Sequence, residues 1–138
     1  MTRYLLDTNI VSELRKRKPH GGVTAWIDGL RDDQLYLSTV TMGVLQRGVE
    51  RARRQDAAKA REIESWVDQL EGSSNLLPMD TRCFREWARL MDGKPDHLLE
   101  DAMIAATARV HGLEVATRNE ADFVRLGIHV VNPFHASP

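Results

Sequence analysis

Asp7, Asp101, Asn119 and Asp122 have the residue types and settings from which chemistry could be built in this 138-residue chain. Asp7 ends the short apolar run Tyr4-Leu5-Leu6 and is followed by the small polar pair Thr8-Asn9. Asp101 stands one turn into a helical pattern that continues Ala102-Met103-Ile104-Ala105-Ala106-Thr107-Ala108. Acidic residues favour helix amino termini for dipole reasons, which accounts for Asp96 and Glu100. It accounts less well for a carboxylate on the margin of a face that must be buried. Thr117-Arg118-Asn119-Glu120 fits a capping box, with Thr first and Glu three residues on; alternatively Asn119 caps and Asp122 occupies the first turn. Carboxylates brought together repel, and at ~4 Å with an effective dielectric of ~20 each pair costs about 4 kcal/mol. A divalent cation removes that cost. Oxygen donors without a Cys/His set favour Mg²⁺ or Mn²⁺ over Zn²⁺. The five histidines are scattered and form no HxxxH-type pair. Such a cation site can generate a hydroxide and clamp a phosphodiester.

These residues meet only if the fold gathers them. Apolar runs predict short strands over 4–7, 35–37, 76–79, 113–117 and 128–131. Helical periodicity predicts helices over 10–16, 23–30, 40–53, 56–70, 81–91, 97–111 and 119–125, the first capped by Asn9. The 97–111 helix is apolar nearly all round, which argues burial, and Gly112 closes it. In the 40–53 helix, periodicity assigns Val40, Val44 and Val49 to the inward face. Strands alternating with helices predict an α/β fold, a parallel sheet covered on both faces. Right-handed crossovers put every strand's carboxyl end at one edge, the edge at which open α/β sheets bind ligands.

The totals set bounds. With 42% hydrophobic and 28% charged residues, the composition is that of an ordinary globular domain, expected as one unit over 1–138. A net charge of −1 imposes no global basic field, so nucleic-acid contact would fall to local clusters. Arg15-Lys16-Arg17-Lys18 is one and Arg47, Arg51, Arg53 and Arg54 another; such clusters make phosphate binding steeply salt-dependent. A solvated helix end explains the first equally well. The single cysteine, Cys83, lies in a helical pattern, reads as packing, and suits a reducing cytosol. No run approaches the ~18 apolar residues of a membrane span, so a soluble cytoplasmic protein is expected. A phosphohydrolase with Asp7 as nucleophile would want a second Asp two residues later, where this chain has Asn9.

Three segments, Leu5-Leu6-Asp7-Thr8-Asn9, Asp101-Ala102-Met103-Ile104-Ala105-Ala106-Thr107-Ala108 and Thr117-Arg118-Asn119-Glu120-Ala121-Asp122-Phe123, in this order resemble PIN-domain ribonucleases. The likeness is to the VapC/FitB-type toxins of bacterial toxin–antitoxin pairs in particular. The ending Val131-Asn132-Pro133-Phe134 also looks FitB-like, and the resemblance covers essentially the whole chain. It implies a three-layer α/β/α PIN-like domain with a short central parallel sheet. It implies a Mg²⁺- or Mn²⁺-dependent endoribonuclease acting on structured RNA such as tRNA. It further implies a homodimer, or a larger toxin–antitoxin assembly, inhibited by a cognate VapB/FitA-like antitoxin whose C-terminal segment covers the active site. Asp7 and Asp101 match the family's metal-binding aspartates. The last acidic position falls on Asn119, on Asp122 or on both, with Asp122 or a water completing the shell. Thr8, Asn9, Ser38 and Thr117 take supporting places, and Arg15, Lys16, Arg17, Lys18 and Arg47 the RNA-binding ones.

One position departs from the pattern. The segment 38–48 resembles the one in which a metal-site glutamate precedes Leu, and here that place is Val44. The resemblance therefore implies a catalytically impaired chain, as a natural variant or as a form altered to escape toxicity. The alternative reading is a non-catalytic PIN-like binding module that docks an antitoxin and nucleic acid.

Overall fold

The computed structural model describes residues 1–137. Five strands, β1 (Tyr4–Leu6), β2 (Leu35–Ser38), β3 (Leu76–Leu77), β4 (Glu114–Ala116) and β5 (Val130–Val131), form one parallel sheet in the order β3-β2-β1-β4-β5. Seven helices surround it: α1 (Thr8–Arg15), α2 (Gly21–Asp28), α3 (Thr39–Arg53), α4 (Ala57–Ser73), α5 (Thr81–Met91), α6 (Leu99–His111) and α7 (Glu120–Arg125).

Strand periodicity explains the three layers. Leu5 is in register with Tyr36 and Val115, and Val115 with Val130, so these four point to one face. That face packs on Leu90 of α5, the apolar stripe of α6 and Phe123 of α7. Leu6, Leu37 and Ala116 point the other way and meet Ile10 and Val11 of α1 and Val23 of α2. Leu5, Ile10, Val115 and Phe123 are fully buried. A third cluster, Val49, Ala60 and Val67, joins α3 to α4 beside the sheet. The result is the three-layer α/β/α arrangement with a short central parallel sheet. Strand order reverses between β1 and β4, so the carboxyl ends of these neighbours flank the crevice in which α/β sheets bind ligands.

Local chemistry departs from sequence expectation at instructive places. Asp7, not Asn9, caps α1, its carboxylate accepting from the Thr8 N–H at 2.8 Å. The 97–111 helix is preceded by a 3₁₀ turn at Asp96–Leu98, with Pro95 as its extended cap, and α6 starts at Leu99. No capping box forms at Thr117; its hydroxyl donates to Asp7, and its oxygen accepts from the Asn119 N–H at 2.9 Å rather than from that of Glu120. On α3 only Thr41 and Val49 are buried, while Val40 and Val44 are half-exposed. At 3.6 residues per turn Val49 lies about 140° around the helix from Val44, so the two cannot share one face. Cys83 is buried in α5, and burial pushes its thiol pKa up, as expected for packing rather than reactivity. No described helix is long and apolar enough to cross a membrane.

The C-terminal residues are folded back onto α2. A Cβ added at Gly22 would run into the Ala136 carbonyl oxygen, and Phe134 packs against the His20 ring at 5.0 Å. Gly22→Ala should therefore lower stability by about 1 kcal/mol, the low end for overpacking because the last residues can shift. A urea midpoint equal to that of the parent would show that this close approach does not exist in solution.

Candidate active site at the carboxyl edge of the sheet

Each member of the acidic group is placed by an element terminus. Asp7 follows β1, and its backbone N–H bonds to the Ala116 oxygen of β4 at 2.9 Å, so it is locked at the switch point. Its Oδ2 accepts from the Thr117 hydroxyl at 2.8 Å and from Asn9 Nδ2 at 3.3 Å. Asn9 Nδ2 also reaches Thr117 Oγ1 at 3.2 Å, and Asn9 Oδ1 accepts from the Arg118 N–H at 3.1 Å. These short polar side chains tie the turn after β1 to the turn after β4. Burial pushes the Asp7 carboxyl above its ordinary range; hydrogen bonds from Thr117, Thr8 and Asn9 oppose this, and the charge of Glu100 adds to it.

Asp101 comes from the first turn of α6. Asn119, at the start of α7, gives one amide hydrogen bond to Asp101 Oδ2 at 3.0 Å and another to Asp122 Oδ2 at 2.8 Å. The amide thus bridges two carboxylates as a donor. The Asp101 pKa is pushed up to about 7, first by burial, then by the negative charges of Asp7 and Asp122, and further by Asp122 hydrogen bonding and the Glu100 charge. No Lys or Arg among the described residues forms an ion pair with Asp7 or Asp101; Arg47 is committed to Glu100 at 2.9 Å.

Asp7, Asn9, Val44, Glu100, Asp101 and Asn119 line one pocket of about 430 Å³. Thr8 also lines it and bonds to Thr41 Oγ1 at 3.2 Å. Val44 faces this space from α3. Three of the residues expected in catalytic or supporting places do not line it. Asp122 stands behind Asn119, Ser38 is buried as the cap of α3, and Thr117 acts from beneath through Asp7. Arg15, Lys16, Arg17 and Lys18 lie at the far end of α1, about 12 Å along its axis from Asp7. There Lys16 pairs with Glu13 at 2.9 Å and Arg15 stacks over Trp66. Of the proposed RNA contacts only Arg47 is near the pocket. Glu100, which the helix dipole accounts for in the sequence, sits beside Asp101 at the start of α6 and shares the pocket. A larger cleft of about 680 Å³ opens at the opposite edge, near Arg3, Glu114 and His129, but gathers no carboxylate pair.

The donor set bears on the expected cation. Among the described residues no three His, Cys, Asp or Glu side chains gather closely enough to cage a metal ion. Two aspartates on one polar pocket, the charge of Asp7 adding to the raised proton affinity of Asp101, fit a hard ion such as Mg²⁺, which takes one or two carboxylates and keeps several waters. Asp7 and Asp101 would hold it. The lining also carries the Glu100 carboxylate and, from α3, the isopropyl group of Val44.

A parallel α/β sheet with an oxygen-only acidic pocket at its switch point defines the class of domain. The chain belongs to the PIN domain family, whose model matches residues 4–128, and within it to the VapC/FitB group. It is 37% identical to VapC ribonuclease Y4jK of Sinorhizobium fredii, over 94% of this chain and 96% of that one. It is 33% identical to Toxin FitB of Neisseria gonorrhoeae, over 95% of this chain and 98% of the relative. The crystal structure of FitAcB from Neisseria gonorrhoeae is similar at a TM-score of 0.81 and 34% identity, covering 96% of this chain and 99% of that one.

Proposed function

We propose that this chain is the toxin of a type II toxin–antitoxin pair, a Mg²⁺- or Mn²⁺-dependent endoribonuclease whose cleavage is limited by Val44. The observation that carries the reading is the convergence of Asp7 and Asp101 on one pocket with Val44. Likeness to a VapC ribonuclease and to Toxin FitB supports the same activity and role. When bound, the cation would activate water and neutralise charge on a phosphodiester. The residues of the chain do the rest. Asp7 and Asp101 would hold the ion, Thr117 and Asn9 orient Asp7, and Asn119 orients Asp101. A cation needs both carboxyls deprotonated, so its uptake should strengthen as pH rises through the raised Asp101 pKa of about 7.

The remaining parts of the reading follow from the role. The whole chain, 1–138, works as one domain in the cytoplasm, on structured RNA such as tRNA. A VapB/FitA-like antitoxin covers the pocket with its C-terminal segment, and the α3–α4 pair offers the face for a homodimer. The test is incubation of the purified protein with total RNA, with EDTA, Mg²⁺ or Mn²⁺. Slow cleavage that appears only with the divalent ion is expected; cleavage equal in EDTA would overturn the metal-dependent reading.

Val44 also supports a second reading, a PIN domain that binds antitoxin and nucleic acid without turnover. In that case partner and RNA affinity would be indifferent to Mg²⁺ and no ion would restore cleavage.

A further inference from the structure

Arg118 is the one cation seated between two residues of the acidic group, Thr117 and Asn119, and the activity proposed above leaves it without a role. Its backbone N–H is fixed by Asn9 Oδ1 at 3.1 Å, and Asn9 and Asn119 both line the pocket. Its side chain is exposed, yet it has not collapsed onto the neighbouring carboxylates. The guanidinium lies 4.6 Å over the Phe134 ring, and among the described residues no carboxylate comes within ion-pair distance of it. Phe134 is itself held: Asn132 Oδ1 accepts from its N–H at 2.9 Å, and its ring packs against His20 and the apolar cluster under the sheet. Stacking on an aromatic face fixes a guanidinium's plane while leaving its N–H edge free to donate. The other cation beside the pocket, Arg47, is already neutralised by Glu100.

Resting on the endoribonuclease reading, we infer that Arg118, parked on Phe134, clamps a phosphate of the RNA backbone and positions the strand over the Asp7–Asp101 pocket. An acidic pocket repels a polyanion, so an unneutralised, preoriented arginine on its rim supplies the attraction that seats the RNA before any bond is broken. Arg118 is a positioning residue in this role and touches no reacting atom. The C-terminal turn is then part of the substrate surface, since it carries the ring that holds the arginine.

The test uses full-length protein, fluorescently labelled bulk tRNA and Ca²⁺ as the divalent ion, with intact RNA verified on a gel. Anisotropy titrations over a series of salt concentrations give both affinity and salt slope. Arg118→Gln keeps a polar stem on the ring and deletes the charge; it should bind about tenfold more weakly and lower the magnitude of the log–log salt slope by about 1. Arg118→Lys should restore the slope and most of the affinity. Phe134→Leu keeps the charge but frees it, and should weaken binding with the slope unchanged. All three should melt within a few degrees of the parent. If Arg118→Gln binds tRNA with the parent's affinity and slope, or loses affinity with no change of slope, the clamp is overturned. If the parent itself binds no tRNA, the endoribonuclease reading falls and the clamp with it.

Discussion

Replacing Val44 with glutamate should raise divalent-dependent RNA cleavage by about ten- to hundredfold and tighten Mn²⁺ binding over a similar range. The side chain at 44 faces the space shared by Asp7 and Asp101, and Val44 is half-exposed there, so a carboxylate enters without displacing core packing. Glu has a higher helix propensity than Val, so α3 tolerates the change. Arg47, three residues on and on the same flank of the helix, is already paired with Glu100 and supplies little counter-charge. Without metal, a further negative charge adds repulsion to a site whose carboxyl pKa values are already raised, so Val44→Glu should melt lower than the parent in EDTA and recover with Mn²⁺. Val44→Gln is the control: similar shape, no charge, and no gain in cleavage. The paired measurement is cleavage of total RNA together with calorimetric Mn²⁺ titration. A Val44→Glu protein that neither cuts faster nor binds Mn²⁺ more tightly would remove position 44 from the site.

How far the sequence alone reaches is clearest at α1, α3 and the turn after β4. The alternation of apolar runs with helical periods was enough for the sheet, because register and burial in a parallel sheet leave little freedom: Leu5, Tyr36, Val115 and Val130 must share a face once their strands pair. Asp7 and Asp101 could be brought to one edge by the same logic. The acidic group's internal wiring could not. Thr117 and Asn119 look like capping residues because capping is what such side chains do locally, but Thr117 donates to Asp7, 110 residues away, and the Asn119 amide goes to Asp101 and Asp122. Val44 shows the opposite failure. Helical spacing marks it as a core position, and only the resemblance to a family pattern turns an ordinary valine into a missing carboxylate. Arg118 carried no signal at all, since its partner is a ring sixteen residues away whose position depends on the fold of the C-terminal turn.

Asp101→Asn should make the metal-free protein more stable at pH 8 and leave it indistinguishable from the parent near pH 4. The sign follows from proton linkage. The folded-state pKa of Asp101 is raised from 3.8 to about 7, so the native state holds the proton more tightly than the unfolded chain does. The stability this contributes is fully present below about pH 4 and is lost as pH rises through about 7. Fully expressed, the shift corresponds to about 4 kcal/mol. Asp101 is only half-buried, and solvent screening reduces the expected effect to about 1–2 kcal/mol. Asparagine keeps an acceptor for the Asn119 amide and removes the charge that opposes Asp7, so the melting temperature at pH 8 should rise by about 3–8 °C. Mn²⁺ should stabilise the parent at pH 8 by binding the folded state, and should stabilise Asp101→Asn far less. Melting curves in EDTA and in Mn²⁺ between pH 4 and pH 8 separate these effects. If the variant melts lower than the parent at pH 8 and gains as much from Mn²⁺, then Asp101 is neither repelled by Asp7 nor shared with a cation. The pocket would then lose its claim to be a metal centre, whatever its sequence resembles.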